Sequence, residues 1–310
     1  MSKPVGQFCP PQMLDNLNHQ TWPQPALYVV STPIGNLADI SYRAVFALQL
    51  CDVIACEDTR TAKLLLNQLQ IEYKQLVALH KFNESESVGH IANLLDEEKR
   101  VALISDAGSP AISDPGSVLV EQLIGRGYRV IPVPGASAVI AAVMASGVRP
   151  RLGELNGFVF LGFLPPKSGE RRAFIVGELE HCQRPAVLFE APHRIVDAIA
   201  DLRTVLGDIR TVTICRELTK KFESIYTGSL EEVSDWINGD SNNQKGEFVL
   251  IVHPSEVVEG DEVDTQKLLS LLLKKGVSLK DSVSIVQEYA LKSKKEIYDL
   301  ALKIKEDLSN

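Results

Sequence analysis

Along residues 26–147, short apolar runs alternate with longer segments whose apolar positions recur at helical spacing. ALYVV (26–30), DVIA (52–55), QLVAL (75–79), VALI (101–104) and RVIPV (129–133) are predicted strands. The intervening 42–50, 59–69, 84–98 and 116–127 are predicted helices, and a further helix over 136–147 ends near Gly147 and Pro150. Strands and helices alternating at this interval make βαβ units and a mostly parallel sheet.

From about 157 to 253 the pattern changes. GFVFLGFL (157–164), RPAVLFE (184–190), RTVTICREL (210–218), KFESIYTG (221–228) and EFVLIV (247–252) read as strands, with helices over 168–180, 192–206 and 229–238. Only Thr219 and Lys220 separate two of these strands, which predicts an antiparallel hairpin and hence a mixed sheet. VRPRLGELNG (148–157) reads as a linker. Residues 267–308 read as a small helical appendix, with turns near Gly276-Val277-Ser278 and Lys292-Ser293. From 265 to 310 there are nine Lys against six Asp plus Glu, so this end is mildly basic. The expected division is 1–25 as a flexible extension, 26–150 and 151–258 as α/β domains, and 259–310 as the appendix.

A chain of 310 residues is long enough for two cores, and 45% hydrophobic with 23% charged residues is ordinary for a soluble globular protein. The net charge of −8 argues against a general nucleic-acid coating protein. It leaves room for an enzyme that touches RNA through a local basic strip. The five cysteines are odd in number and scattered, with no CxxC, so free thiols in a reducing cytosol and no zinc site are expected. No apolar run approaches the ~20 residues that span a bilayer. The first 25 residues lack the order of a signal peptide. A cytoplasmic protein without a membrane partner is expected.

Candidate chemistry gathers at predicted strand ends. SDAGSPAISDPG (105–116) packs Gly, Pro and Asp into one rigid loop after VALI. Asp106 there suits ribose hydroxyls or a cationic amino group, and Gly108 permits close approach. TPIGN (32–36) follows the first strand and is neither a GxGxxG fingerprint nor a Walker A loop. Its plainer reading is a strand–helix turn with Ser41 as cap. IACEDTR (54–60) brings Glu57, Asp58 and Arg60 to the same sheet edge; alternatively Asp58 or Thr59 only caps a helix. PVPGASAV (132–139) presents Gly135 and Ser137 at a helix start. FLGFLPPKSGERR (160–172) carries Lys167, Arg171 and Arg172, a trio suited to a phosphate backbone or to a solvated helix start. FEAPHR (189–194), CRELTKKFE (215–223) and KGEFVLIV (245–252) complete the set.

In their order and spacing, TPIGNLADI, ACEDTR, SDAGSPAISDPG, VPGASAV, GFLPPK, RELTKKFE and KGEFVLIV resemble the ribosomal RNA small subunit methyltransferase I family of the tetrapyrrole-methylase superfamily. The resemblance covers about 26–253 strongly and the helical end more weakly. It implies a two-domain tetrapyrrole-methylase α/β fold, with a mostly parallel N-terminal sheet, a mixed C-terminal sheet and a small helical appendix. It further implies methyl transfer from S-adenosyl-L-methionine to the ribose 2′-hydroxyl of a decoding-centre cytidine of 16S rRNA, free or in the small ribosomal subunit. A homodimer is implied as well. Carried over by position, the cofactor residues are Pro33, Ile34, Gly35, Asp106, Gly108, Pro110, Ile112, Ser137, Phe163 and Leu164. The Pro-Gly-Ala-Ser turn departs from the second Pro or Cys expected in many relatives.

Such a transfer needs no metal, only alignment of the groups and removal of the hydroxyl proton. Glu57, Asp58, Glu217 and Lys220 are the catalytic candidates, with Glu190 a further one and His80 and His193 unsupported. RNA phosphates are assigned to Arg60, Lys167, Arg171, Arg172, Arg194 and Lys221. Two alternatives stand beside this reading. One is methylation of a tetrapyrrole or other small acceptor. The other is Mg-dependent phosphoryl transfer, with Glu57, Asp58, Asp106 and Asp114 as ligands.

Overall fold

A computed structural model describes residues 11–79, 84–148, 157–254, 265–287 and 293–307. The first sheet is formed by β1 (Ala26–Val30), β2 (Val53–Cys56), β3 (Leu76–Ala78), β4 (Arg100–Ile104) and β5 (Val130–Val133). It is wholly parallel in the order β3-β2-β4-β1-β5. Side chains alternate across each strand, so Tyr28 and Val30 face one layer and Leu27 the other. On the first face lie α2 (Tyr42–Leu50) and α3 (Thr59–Gln68), and on the second α4 (Glu84–Asp96) and α5 (Ser117–Gly125). With both faces covered, the central strands read as continuous apolar runs.

The expectation of a flexible N-terminal extension fails for the described residues from 11 onward. Pro11–His19 forms α1, and Leu17 is buried in the core of the first sheet. The Trp22 ring stands 5.8 Å from Tyr28 and 5.0 Å from Phe46, and Tyr28 Oη donates to the Pro23 carbonyl at 2.8 Å. The apolar residues of this segment are too sparse to give a periodic signal, yet Trp22 and Leu17 suffice to dock it. Residues 1–10 lie outside the described residues.

After β5, helix α6 (Ala138–Ala145) leads towards the second sheet; the expected linker 148–157 falls mostly outside the described residues. The second sheet comprises β6 (Val159–Phe163), β7 (Ala186–Glu190), β8 (Thr211–Arg216), β9 (Ser224–Ser229) and β10 (Phe248–Val252). Its order is β6-β7-β10-β8-β9, with β6 and β7 parallel and the remaining pairs antiparallel. The hairpin between β8 and β9 is wider than expected, because Glu217–Glu223 all leave the ladder. One face is covered by α7 (Ser168–Glu178), α8 (Ile195–Leu206) and α9 (Leu230–Gly239). On the other face, Val187, Cys215, Val249 and Ile251 pack with Val139 and Ala142 of α6, joining the two sheets. The described residues from 11 to 254 therefore form one compact unit.

The described residues from 265 onward belong to a separate unit. Its described part is α10 (Thr265–Lys274), α11 (Leu279–Gln287) and α12 (Lys294–Asp307), packed around Leu269, Val283, Val286, Ile297 and Ala301. Among the described residues, no helix is long and apolar enough to cross a membrane.

Candidate active site

Strands β4, β1 and β5 are neighbours, so the loops at their carboxyl ends emerge side by side, where open α/β sheets bind ligands. Backbone bonds tie the loops together: Thr32 N–H donates to the Gly108 carbonyl at 2.8 Å and Gly108 N–H to that of Thr32 at 3.1 Å. The Ser31 and Ser109 hydroxyls share a hydrogen bond at 2.9 Å. Gly108 has φ +80, and a Cβ there would stand 3.2 Å from Ile34 Cγ2, so glycine lets this loop close. Ala111 (φ 66) and Ser113 (φ 63) also hold left-handed conformations, at a cost of roughly 1–3 kcal/mol each. Strain of this kind is retained where the surroundings fix it.

Facing these loops is the second sheet, and between them lies a cavity of about 420 Å³. This is within the ordinary range for a cofactor-sized ligand. Its apolar wall includes Ile34, Val139, Phe163, Phe189, Leu218 and Val249. Its charged lining consists of Asp106, Asp114, Glu190 and Glu247. Glu190 is 2% exposed; its Oε1 accepts from Ala191 N–H at 2.7 Å and from Arg194 Nε at 2.8 Å. Among the described residues its Oε2 has no hydrogen-bond partner. Buried oxygens of this kind call for an explanation, a missing ligand among them.

The acids around the mouth are tuned in opposite directions. Burial pushes the Asp114 carboxyl above the ordinary range, with the Asp106 charge adding to it and a Ser105 hydrogen bond opposing. Asp106 is likewise raised, by burial first, and accepts from Asp58 N–H at 3.2 Å. Glu57 is raised by burial and by the charges of Asp114, Asp106 and Asp58. Asp58 is held down at about 2 by Arg60, whose Nη2 lies 2.6 Å from Asp58 Oδ2; its carboxylate also caps α3. Burial would raise Glu217, but the Lys220 ammonium at 2.8 Å outweighs it and holds the carboxyl low. Lys220 also reaches Glu247 at 2.8 Å, and although burial opposes its charge the two carboxylates raise its pKa.

Of the residues expected to hold a cofactor, Ile34, Asp106, Gly108, Ile112, Ser137 and Phe163 line the cavity. Pro33 and Gly35 belong to the same β1 loop without lining it, and Pro110 is buried within the β4 loop. Leu164 is 1% exposed, with its side chain in the core of the second sheet. Glu57 and Asp58 stand beside Asp106, while Glu217 and Lys220 form an ion pair at the β8–β9 loop. Glu190, expected as a further catalytic candidate, lines the cavity, whereas Phe189, Leu218, Glu247 and Val249 were not expected there because their segments read as core or as hairpin; the pairing of β10 with β7 and β8 brings them together.

The expected RNA strip needs correction. Arg171 is 3% exposed, its Nη2 is 2.6 Å from Asp201 Oδ2, and its Nη1 donates to the Pro166 carbonyl at 3.2 Å. Its charge is used inside the fold and does not face a polyanion. Arg172 is half exposed and shares the same Asp201 at 2.6 Å. Arg194 is taken by Glu190, Arg60 by Asp58, and Lys167 by Glu170 at 2.9 Å. Lys221 is exposed, its ammonium 5.4 Å from the centre of the exposed Phe222 ring. Asp201 was not visible in the sequence as a partner because it lies 29 or more positions away from the arginines it binds.

The Tetrapyrrole (Corrin/Porphyrin) Methylases family model matches residues 26–234. A ribosomal RNA small subunit methyltransferase I from Pseudomonas aeruginosa is 42% identical over 279 residues, covering 89% of this chain and 96% of that protein. Its namesake from Neisseria meningitidis serogroup B is 40% identical over 278 residues, covering 89% and 92%. That from Escherichia coli O157:H7 is 41% identical over 274 residues, covering 86% and 93%. Among solved structures, a cobalt precorrin-4 methyltransferase of cobalamin biosynthesis superposes with a TM-score of 0.53 at 19% identity, covering 73% of this chain and 94% of that one. The uroporphyrin-III-C-methyltransferase from Thermus thermophilus also gives 0.53, at 17% identity, covering 76% and 97%. These two likenesses concern the fold. With the parallel sheet, the mixed sheet and the cavity between them, these matches establish that the chain belongs to the tetrapyrrole-methylase family, within its ribosomal RNA small subunit methyltransferase I branch.

Proposed function

We propose that the protein is a cytoplasmic S-adenosyl-L-methionine-dependent methyltransferase acting on the ribose 2′-hydroxyl of a decoding-centre cytidine in small-subunit rRNA. The observation that carries this reading is identity of about 40% to proteins named ribosomal RNA small subunit methyltransferase I over nearly their whole length; the ribose 2′-hydroxyl and the cytidine come from the motif resemblance. The cavity supports it. Gly108 lets the β4 loop close against Ile34 at the cavity wall, and the bare Oε2 of Glu190 suits a donor such as a ribose hydroxyl or amine. Ile34, Asp106, Gly108, Ile112, Ser137 and Phe163 would hold the cofactor. When bound, S-adenosylmethionine supplies an electrophilic methyl group on a sulfonium centre.

The chain's own task is then to align the hydroxyl and accept its proton. Glu57 fits the base better than Lys220 does. Burial and neighbouring acids raise the Glu57 carboxyl towards the range of a useful base, whereas two carboxylates keep Lys220 protonated. Glu217 is occupied by Lys220. Exposed Lys221 and Phe222 remain suited to an RNA backbone and base, and Lys167, whose pair with Glu170 is solvent-exposed, can turn to a phosphate. A homodimer, as the family resemblance implies, is part of the reading.

Methylation of a tetrapyrrole is the second reading, favoured only by the fold likeness to enzymes of that class. Ribose-methylation mapping of small-subunit rRNA from cells with and without the protein tests the choice. Loss of one 2′-O-methyl cytidine in the decoding region is expected, and an unchanged methylation map would refute the rRNA reading.

A further inference from the structure

We infer that the turn at the tip of the β8–β9 loop positions the RNA substrate: the Phe222 ring stacks an unpaired base beside the target nucleotide, and Lys221 and Lys245 hold the phosphates around it. This role rests on the rRNA reading above and adds to it a positioning residue outside the cofactor cavity. Glu223 N–H donates to the Lys220 carbonyl at 3.1 Å, so Lys221 and Phe222 are the two central residues of a β-turn. Such positions favour Gly, Asn, Asp, Ser and Pro, and here they carry a lysine and a phenylalanine. Phe222 is 64% exposed, and neither residue lines the cavity. A scattered apolar side chain on a surface is ordinary. The setting of this one is not.

The turn is held from both sides. Thr219 N–H donates to Glu223 Oε2 at 2.6 Å, and Glu217 and Thr219 keep left-handed backbones, with φ 51 and 65. Glu217 Oε1 accepts from Lys220 Nζ at 2.8 Å and from Glu247 N–H at 2.9 Å, which fastens the loop to the chain entering β10. Arg216 Nε donates to Ser224 Oγ at 3.1 Å, and its Nη1 donates to the Lys245 carbonyl at 3.2 Å. A ring carried on a turn fixed in this way is preorganised, which lowers the ordering cost of stacking a base on it.

The charges around the ring are sorted. The acids of the loop are engaged, Glu217 and Glu247 by Lys220 and Glu223 by the Thr219 N–H. Among the described residues Arg216, Lys221 and Lys245 form no ion pair; the Lys221 ammonium stands 5.4 Å from the centre of the Phe222 ring, and Lys245 Nζ donates to Asn242 Oδ1 at 3.1 Å. Arg60, Arg171, Arg172 and Arg194, by contrast, are committed to Asp58, Asp201 and Glu190. In a chain of net charge −8, a polyanion needs a local cluster of uncommitted cations. An aromatic ring flanked by such cations suits unpaired nucleotides, with the base on the ring and the phosphates on the ammonium groups. Leu218 lines the cavity four residues before Phe222, and four residues span at most ~14 Å. The platform therefore serves the RNA next to the nucleotide whose hydroxyl enters the cavity.

Methyl transfer by the full chain to 16S rRNA, free and in small subunits, tests this with three substitutions at one position. Phe222→Ala and Phe222→Leu should each raise the KM for RNA about ten-fold, or ~1.4 kcal/mol, with a smaller change in kcat. Phe222→Trp should keep the KM of the unaltered protein, because an indole stacks where an aliphatic side chain does not. Affinity for S-adenosylmethionine by calorimetry should be the same in all three. Lys221→Ala should flatten the salt dependence of RNA binding by roughly 0.7–0.9 in slope, as for one lost phosphate contact. An unchanged KM in Phe222→Ala, or a Phe222→Trp protein as impaired as Phe222→Leu, would overturn the inference and leave the rRNA reading standing. So would an altered oligomeric state of Phe222→Ala in light scattering, which would assign the ring to a contact between copies of the chain. Absence of transfer to rRNA by the unaltered protein would overturn the rRNA reading, and this inference with it.

Discussion

The stem of Lys220 lies across the backbone of Gly35: a Cβ built on Gly35 would stand 2.4 Å from Lys220 Cγ. The ammonium at the end of that stem bridges Glu217 and Glu247, each at 2.8 Å. Thus the β8–β9 loop of the second sheet is laid over the first loop of the first sheet. Glu217 (φ 51) and Thr219 (φ 65) hold left-handed conformations to bring it there. Lys220 acts here as a clamp between the two halves of the cleft.

Gly35→Ala should displace this lysine and break its bridge. A double-mutant cycle with Lys220→Ala should give a coupling of about 0.5–3 kcal/mol, the second substitution costing less in the presence of the first. Denaturant unfolding of the four proteins measures it. Strictly additive effects would show that the two residues do not act on one another.

Much of this was legible in the chain, and the missing parts share a cause. Strands β1, β2 and β4 fall within a residue or two of their predicted positions because they are buried on both faces, and the half-exposed edge strand β5 does so because its run stops at Pro134-Gly135. The loops after β1, β4 and β5 were legible because their Gly, Pro and Asp are contiguous. What sequence periodicity does not carry is long-range pairing. The Arg171–Asp201 bond, the meeting of Leu218 and Val249 at the cavity, and the placement of Lys220 on Gly35 all depend on which strand and helix become neighbours. Trp22 and Leu17 were misjudged because two well-placed apolar side chains make no period.

Arg171 is expected to matter for folding where Arg172 matters little. Arg171→Ala leaves Asp201 buried without its main partner and should cost about 3–5 kcal/mol, while Arg172→Ala removes a half-exposed contact worth about 0–1 kcal/mol. Burial alone would raise Asp201, but hydrogen bonds from Arg172, Arg171 and Ser168 hold it below the ordinary value. Its stabilising effect is thus complete above the unfolded value of about 3.9 and is lost as pH falls through the lower folded value. Chemical denaturation at pH 7 and below pH ~4 should show the Arg171→Ala penalty shrinking in acid. A penalty equal to that of Arg172→Ala at pH 7 would contradict the buried pair.

Asp114 should behave in the opposite sense. Its folded pKa is raised, so ionisation opposes folding once the pH exceeds the unfolded value of about 3.9. Asp114→Asn should therefore stabilise the ligand-free protein at pH 7, and that gain should fade as pH falls towards 4. Thermal unfolding across this range measures it. Destabilisation at pH 7 would mean that the carboxylate is needed for the loop itself. The expected gain is a case of a functional group held at the expense of stability.

The most direct measurement is methyl transfer by the purified protein from S-adenosylmethionine with a tritiated methyl group, offered small ribosomal subunits, free 16S rRNA and a tetrapyrrole side by side. The account predicts label on rRNA or the subunit alone, at a single ribose 2′-oxygen of a decoding-region cytidine, and loss of transfer on Glu57→Gln with cofactor binding retained. Label on the tetrapyrrole, or on a base instead of a ribose, would contradict it.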